Sequence, residues 1–95
     1  MGIKILISRK VSRDQEAVVK PFLAELHSLA WRSKGYISGE ALENLNEEND
    51  HMVISSWQSM EDWENFRALE ESIQLHYRID QILGHETVYK MYRNK

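Results

Sequence analysis

The sequence predicts an α+β protein in which a four-stranded antiparallel sheet carries helices on one of its two faces. Apolar residues recur with a period of two in four short segments, and with helical spacing in the longer segments between them. The resulting order is strand, helix, strand, strand, helix, strand. Right-handed crossovers in this order place both helical segments on the same side of the sheet.

The first strand and the first helix are predicted from the amino-terminal third of the chain. Residues 3–11 alternate β-branched and polar side chains, which is typical of a strand. Ser12 and Gln15 have the spacing of a capping box, which predicts the start of a helix. Pro21 is expected to kink this helix or to delay its regular start, and Gly35 is expected to end it. The expected apolar face of the helix consists of Val18, Phe22, Leu26, Leu29 and Ala30.

The middle of the sequence predicts a β-hairpin. Residues 36–45 and 51–57 have strand character, and the polar cluster at 46–50 lies between them as a turn. Gly39 interrupts the first of these strands. A glycine inside a strand indicates a bulge or the close approach of another group.

A second helical region and a last strand complete the pattern. Ser59 and Asp62 have the spacing of a helix cap, and Ser72 is expected to break the helical region into two parts. Gly84 is expected to end the region in a left-handed conformation. Residues 87–92 alternate again and predict the fourth strand.

The small size of the chain predicts a homodimer. Residues 1–95 correspond to a single domain, whose hydrophobic core is marginal at this length. The sequence contains no cysteine, so disulfides and thiolate metal sites cannot supplement that core. We expect the sheet face without helices to be apolar and to be covered by a second copy of the chain.

Composition and charge argue against several classes of partner. Twelve basic and fifteen acidic residues give a net charge of −3, which provides no electrostatic footprint for nucleic acid. The longest apolar run, residues 5–7, is too short to span a bilayer, and we expect no signal segment. We therefore expect a cytoplasmic protein that acts on neither nucleic acids nor membranes.

Three stretches of the sequence together carry a family resemblance. They are Gly-Tyr-Ile-Ser-Gly-Glu at 35–40, Val-Ile-Ser-Ser-Trp-Gln-Ser at 53–59 and Glu-Asp-Trp at 61–63. In this order and spacing the chain resembles the antibiotic biosynthesis monooxygenase family of dimeric α+β barrel proteins. The resemblance implies two ferredoxin-like βαββαβ protomers packed sheet to sheet, each with a pocket between sheet and helices. Some members oxygenate aromatic polyketides with dioxygen and without metal or flavin, and others bind and degrade haem.

The haem-degrading branch of the family implies specific positions in this chain. His76 stands nineteen residues after Trp57, which matches the position of the haem ligand in that branch. The branch also uses a tryptophan and an asparagine, and these positions fall on Phe66 and near Ser8. These departures argue against haem degradation and leave haem binding through His76 open as the alternative to a site without a cofactor.

The candidate site residues follow from their chemistry. His76 is the candidate catalytic residue, because a neutral imidazole can act as a general base or ligate iron. Its alternative is a histidine on a helix without a catalytic role. Trp57, Trp63 and Phe66 are candidate substrate-binding walls, since aromatic rings offer large flat faces. Their alternative role is ordinary core packing.

Two neighbouring polar residues on the first strand compete for the pocket. Ser8 and Arg9 point to opposite faces, so only one of them can face the ligand. We take Ser8 as the substrate contact and expect Arg9 to pair with an acid across the dimer, although an inward arginine could bind a ligand carboxylate. The other histidines, His27, His51 and His85, lack the spacing of a zinc site.

The sequence therefore predicts a small monooxygenase that oxidises a planar aromatic substrate with dioxygen. Deprotonation, orientation and exclusion of water would be the tasks of the protein. Two alternatives remain open at this point. One is a protein that binds or degrades haem through His76, and the other is a non-catalytic dimeric module that binds a small molecule.

Overall fold

A computed structural model describes residues 2–95 and confirms the predicted fold class. Its four strands form one antiparallel sheet, in which the first strand lies between the third and the fourth, and the second strand lies at the edge beside the third. None of the helices found in this part of the chain combines the length and the apolar character that crossing a membrane requires. The elements are β1 (Ile3–Lys10), α1 (Arg13–Trp31), β2 (Tyr36–Glu43), β3 (Asp50–Trp57), α2 (Met60–Ala68), α3 (Glu70–Leu83) and β4 (Val88–Arg93).

Helix α1 begins at the predicted cap. The backbone N–H of Ser12 donates to Oε1 of Gln15 at 3.1 Å. Nε2 of Gln15 donates in turn to the carbonyls of Ile82 and Leu83, at 3.2 and 3.3 Å, at the end of α3. The helix then passes through Pro21 without interruption, so the expected delay of its start is wrong. One glutamine thus caps α1 and supplies donors for two terminal carbonyls of α3.

The buried face of α1 differs from the prediction at one position. Val19 is 1% exposed, whereas Val18, which was predicted to be in the core, is 54% exposed. Val19 precedes the buried Leu26 by seven residues, which is two helical turns, so both lie on the same side of the helix. Val18 is rotated by about 100° from that line.

The second helical region breaks three residues earlier than predicted. Leu69 is extended, with φ −62° and ψ 138°, and separates α2 from α3. Ser72 lies inside α3 and is fully buried, so the break expected there is wrong. Its hydroxyl is 3.2 Å from Nδ1 of His76, which gives the buried polar group a partner. Gly84, with φ 78°, ends α3 as predicted.

Two glycines around β2 allow close approaches that a side chain would prevent. A Cβ on Gly39 would overlap the hydroxyl of Tyr36, which confirms the predicted close approach at this position. Gly35 has φ 86°, and a Cβ there would also overlap the carboxylate of Asp62. The register of β2 against β3 shifts between Tyr36 and Ser38, and β2 ends at Glu43 rather than at Leu45.

The alternation of side chains gives the sheet a covered face and an open face. The covered face lies under the helices and includes Ile5 and Trp57, both 0% exposed. The open face carries the alternate residues of each strand, and no element of residues 2–95 lies over it. Its apolar members are Leu6, Leu42, Met52, Ile54, Val88 and Tyr92.

Candidate functional site

A cavity of about 390 Å³ separates α1 from the covered face of β1, β2 and β3. Small residues on the sheet account for much of this space. Gly39, Ala41 and Ser55 line the cavity at covered-face positions that a larger side chain would fill. Ala24 on α1 is the facing small residue. The predicted gap between helix and sheet is therefore present and only partly filled by protein.

Aromatic rings form the inner end of the cavity. Trp57 packs against Phe66 and Trp63 with ring centroids 5.1 and 5.7 Å apart, and the latter two are 5.9 Å from each other. Tyr36 extends the cluster, with its ring 5.3 Å from Trp57. The indole N–H of Trp57 donates to Oγ of Ser55 at 3.2 Å, so this buried donor is satisfied within the wall. These rings are thus core and cavity wall at the same time.

His76 projects from α3 into the same region and is 8% exposed. Its Nδ1 lies 2.7 Å from the carbonyl oxygen of Ser72. A carbonyl can only accept, so Nδ1 carries the proton in the neutral ring and Nε2 keeps its lone pair. Both hydrogen bonds of the imidazole within residues 2–95 involve Nδ1, which leaves Nε2 available.

The surroundings of His76 keep its ring neutral. Burial lowers the pKa of His76 to about 4, and the positive charges of Arg67 and Arg9 act in the same direction against the opposing effect of the Ser72 carbonyl. At neutral pH the residue is therefore an uncharged hydrogen-bond acceptor through Nε2. Such a group can receive a proton from a substrate of sufficient acidity or ligate a metal ion.

Arg9 brings a buried cation to the cavity, where it is 6% exposed. Its Nε donates to Oγ1 of Thr87 at 3.1 Å, and that hydroxyl donates to Oδ1 of Asp80 at 2.6 Å. Burial lowers the pKa of Arg9, while the nearby Tyr89 and Asp80 oppose this effect. An arginine nevertheless stays charged, because its pKa starts far above neutrality.

Four of the five candidate residues predicted from the sequence meet in this cavity. Ser8 does not, because it lies on the open face, where it pairs in register with Met52 and Val88. Arg9 lines the cavity instead, contrary to the expectation that it would point to a dimer partner. Arg9 is an even number of positions from the buried isoleucines of β1, and such a spacing places strand residues on the same face. This spacing could have predicted that Arg9 faces the cavity. The four that meet are Trp57, Trp63, Phe66 and His76.

Three further cavity residues were not singled out from the sequence. The hydroxyl oxygen of Tyr36 lies 3.4 Å from Nε2 of His27. Burial raises the pKa of Tyr36. His51 is the register partner of Arg9 and so shares its face. Only the pairing of β3 with β1 could have related His51 to the cavity, and only the packing of α1 over the sheet could have related His27 to it. No group of three or more potential metal ligands comes together in the part of the chain that the structure describes.

Comparison with known proteins relates this fold to a family. Residues 3–78 match the family described as antibiotic biosynthesis monooxygenase. A conserved protein from Methanosarcina mazei Go1 superposes with a TM-score of 0.90 at 14% identity, over 100% of this chain and 94% of that chain. SnoaB, a cofactor-independent oxygenase from Streptomyces nogalater, gives 0.84 at 12% identity, over 99% and 93%. Rv0793 from Mycobacterium tuberculosis gives 0.85 at 8% identity, over 100% and 96%.

At these identities the likeness to solved structures concerns the fold alone. No curated protein matches the chain.

Proposed function

Because the chain belongs to the antibiotic biosynthesis monooxygenase family, we propose that it oxidises a small planar aromatic substrate with dioxygen in the cavity under α1. The observation that carries this proposal is the placement of His76. A neutral imidazole with a free Nε2 stands in an aromatic-walled cavity of about 390 Å³. This combination suits the binding of a flat molecule whose hydroxyl proton is held in a hydrogen bond to Nε2.

In the proposed chemistry the protein positions the substrate, and the substrate itself supplies the electrons. A phenol that loses its O–H proton becomes an electron-rich phenolate, which can transfer electrons to dioxygen. When a phenol becomes a quinone, one oxygen atom bonds to a ring carbon and the other leaves as water with the two displaced hydrogens. The substrate supplies all four electrons, so the balance closes with one dioxygen for each quinone.

In this scheme each cavity residue has a definite task. Nε2 of His76 accepts the hydroxyl proton or holds it in a hydrogen bond. Trp57, Trp63 and Phe66 hold the ring in one orientation and exclude water from the reacting carbon. Ser8 has no part in it, because its side chain lies on the open face.

Oxygen uptake with a panel of hydroxynaphthalenes tests the proposal. We expect consumption of one dioxygen for each quinone formed, without added reductant. His76→Ala should lower kcat/KM roughly a hundredfold or more, the usual contribution of general base catalysis. His85→Gln is the matched control, because His85 bonds to the backbone of Lys10 and does not line the cavity.

The proposal would be abandoned if no member of the panel gave enzyme-dependent oxygen uptake. Tight binding of the same compounds without uptake would instead favour the non-catalytic binding module. Equal activity of His76→Ala and the wild type would remove His76 from its proposed role while leaving the cavity as the site.

Haem, the alternative cofactor, does not fit the site as the chain is folded. His76 has the right donor, a neutral Nε2, but the rings of Phe66 and Tyr89 lie 6.3 and 5.9 Å from the imidazole. Haem is much wider than the small aromatic molecules that a cavity of about 390 Å³ can hold, so it could enter only if such packed rings moved apart. We expect that haem added to the purified protein gives no Soret band that depends on His76.

We further propose that the protein is a homodimer joined through the open face. The apolar residues of this face include Leu42, Val88 and Tyr92, which are 41, 52 and 53% exposed. Apolar side chains left uncovered together on one face indicate an interaction surface. A second copy would cover them by packing sheet against sheet. The cytoplasmic location and the single domain over residues 1–95 stay predictions.

A further inference from the structure

The guanidinium of Arg9 has a donor group that the protein itself does not use. Among the polar side-chain atoms of residues 2–95, Nη2 of Arg9 is the one that is both sealed from solvent and without a hydrogen-bond partner. Arg9 is only 6% exposed, and it lines the cavity. A buried donor without a partner is unfavourable, and an unpaired buried charge more so. Such a group requires a partner from outside the chain, such as an ordered water or a ligand.

The structure holds this guanidinium in a fixed position. Nε is bonded to Oγ1 of Thr87, whose own hydrogen is directed to the carboxylate of Asp80 at 2.6 Å. Thr87 also donates its backbone N–H to the same carboxylate oxygen at 3.2 Å. The hydroxyl therefore presents a lone pair to Arg9. The side chain of Tyr89 also acts on the guanidinium as a hydrogen-bonding neighbour, which leaves Nη2 as the donor group without a partner in the described residues.

The positive charge of Arg9 is not neutralised by direct contact with an acid. Within the described residues the ion pairs involve Lys10 and His51, and none of them includes Arg9. Asp80 acts on Arg9 through Thr87 rather than by contact. The cavity thus combines flat apolar walls with one preformed site for negative charge.

We infer that Arg9 pairs with an anionic oxygen of the ligand, so that the cavity selects flat aromatic molecules bearing a carboxylate or an ionised hydroxyl. This inference rests on the proposed function and narrows its substrate class. A phenol bound there would share its proton with Nε2 of His76 while its oxygen accepted a hydrogen bond from the guanidinium of Arg9. The two residues would share the task, since a neutral histidine beside cations is a weak base on its own.

The free energy for this selectivity comes from preorganisation. The arginine is already desolvated and already oriented when the ligand arrives, so binding does not have to supply those terms. A charge-assisted hydrogen bond between apolar walls is also stronger than the same bond in water. Aromatic molecules of equal shape but without the negative charge lack this contribution.

Calorimetric titration with two matched probes tests the inference. At pH 7.5, 2-naphthoate carries a full negative charge, whereas 2-naphthamide has the same ring and nearly the same shape without it. We expect the wild type to bind 2-naphthoate about tenfold or more tightly than 2-naphthamide. The variant Arg9→Met should bind both probes with similar affinity.

Two further variants make the result specific. Arg9→Gln is a second neutral variant that keeps a donor for Thr87, and it serves if Arg9→Met does not fold. Arg78→Met is the matched control, because Arg78 lies over the ring of Phe22 at 5.4 Å and does not line the cavity. We expect its preference for 2-naphthoate to equal that of the wild type. Circular dichroism melting curves establish that each variant is folded.

The possible results separate this inference from the proposed function. Equal affinity of the wild type for both probes, or a preference that persists in a folded neutral variant of Arg9, would overturn the role of Arg9 alone. The aromatic cavity would then stand, and oxygen uptake would still decide the enzymatic proposal. If the wild type bound neither probe at millimolar concentration, the aromatic ligand site and the role of Arg9 would both be overturned.

Discussion

The two faces of the sheet are built from the same four strands, yet they have opposite relations to the rest of the chain. On the covered face Ile5 and Trp57 are completely buried, and the space left under α1 is enclosed enough to hold a ligand. On the open face Val88 and Tyr92 are about half exposed, at 52 and 53%. The difference shows that strand alternation only divides residues into two sets. The helices decide which set becomes a core and a site.

The largest expected difference in the free energy of unfolding is between variants of two tryptophans, only one of which lies on the covered face. Trp57→Ala should lower the free energy of unfolding by about 3–5 kcal/mol, because it removes a fully buried ring from the aromatic cluster. Trp31→Ala on α1 should change it by less than about 1 kcal/mol, because Trp31 is 69% exposed. Urea unfolding at one protein concentration measures both. Similar losses would mean that the covered face does not dominate stability.

The covered face should also make stability depend on pH through His76. As the pH falls from 6.5 to about 4, the unfolded chain takes up a proton on this residue and the folded chain does not. Unfolding is therefore favoured progressively, by up to about 3 kcal/mol at the lower end. Burial is the main cause of the lowered pKa of His76, Arg67 and Arg9 add to it, and the Ser72 carbonyl and Asp80 oppose it.

Urea unfolding between pH 7 and pH 4 measures this dependence in the wild type and in His76→Gln. The variant should lose most of the slope in that window, whereas His85→Gln should keep it. A wild type whose stability did not fall over this range would show that His76 titrates in the folded chain as it does in water.

A substitution on the open face should have the smallest effect on free energy, but it should change the oligomeric state. Ile54→Lys should weaken the proposed dimer about a hundredfold or more, since it places a charge in an apolar interface between two sheets. Ile73→Lys is the matched control, because Ile73 is exposed by 56% on α3, away from the open face. Sedimentation equilibrium at micromolar concentration distinguishes the two. A folded wild type that stayed monomeric would contradict the homodimer itself.

Regular local signals were enough to predict most of the fold. The capping pair Ser12 and Gln15, the terminating Gly84 and the alternation along β1 depend on neighbours within a few residues, and each was confirmed. The predictions failed where a distant partner decides the outcome. Ser72 continues a helix because it is buried against His76, and Val19 replaces Val18 because the sheet lies on that side of α1.

The candidate site was likewise predicted in part from the sequence, while another part required the structure. The family resemblance supplied His76 and the aromatic residues of the cavity through their spacing along the chain. The proposed role of Arg9 rests on an unpaired nitrogen and on the contact with Thr87, which lies seventy-eight positions away. Such a contact leaves no trace in local sequence, although the parity of β1 already placed Arg9 on the same side as its buried isoleucines.

The small residues that line the cavity have one more consequence, for how such a protein could diversify. Gly39 cannot acquire a side chain without displacing the hydroxyl of Tyr36, and Ser55 is tied to the indole of Trp57. Ala41 carries neither constraint, lines the cavity and sits on the edge strand of the sheet. Evolution could therefore enlarge or shrink the accepted molecule by exchanging this single alanine, while the groups that handle the proton stay untouched.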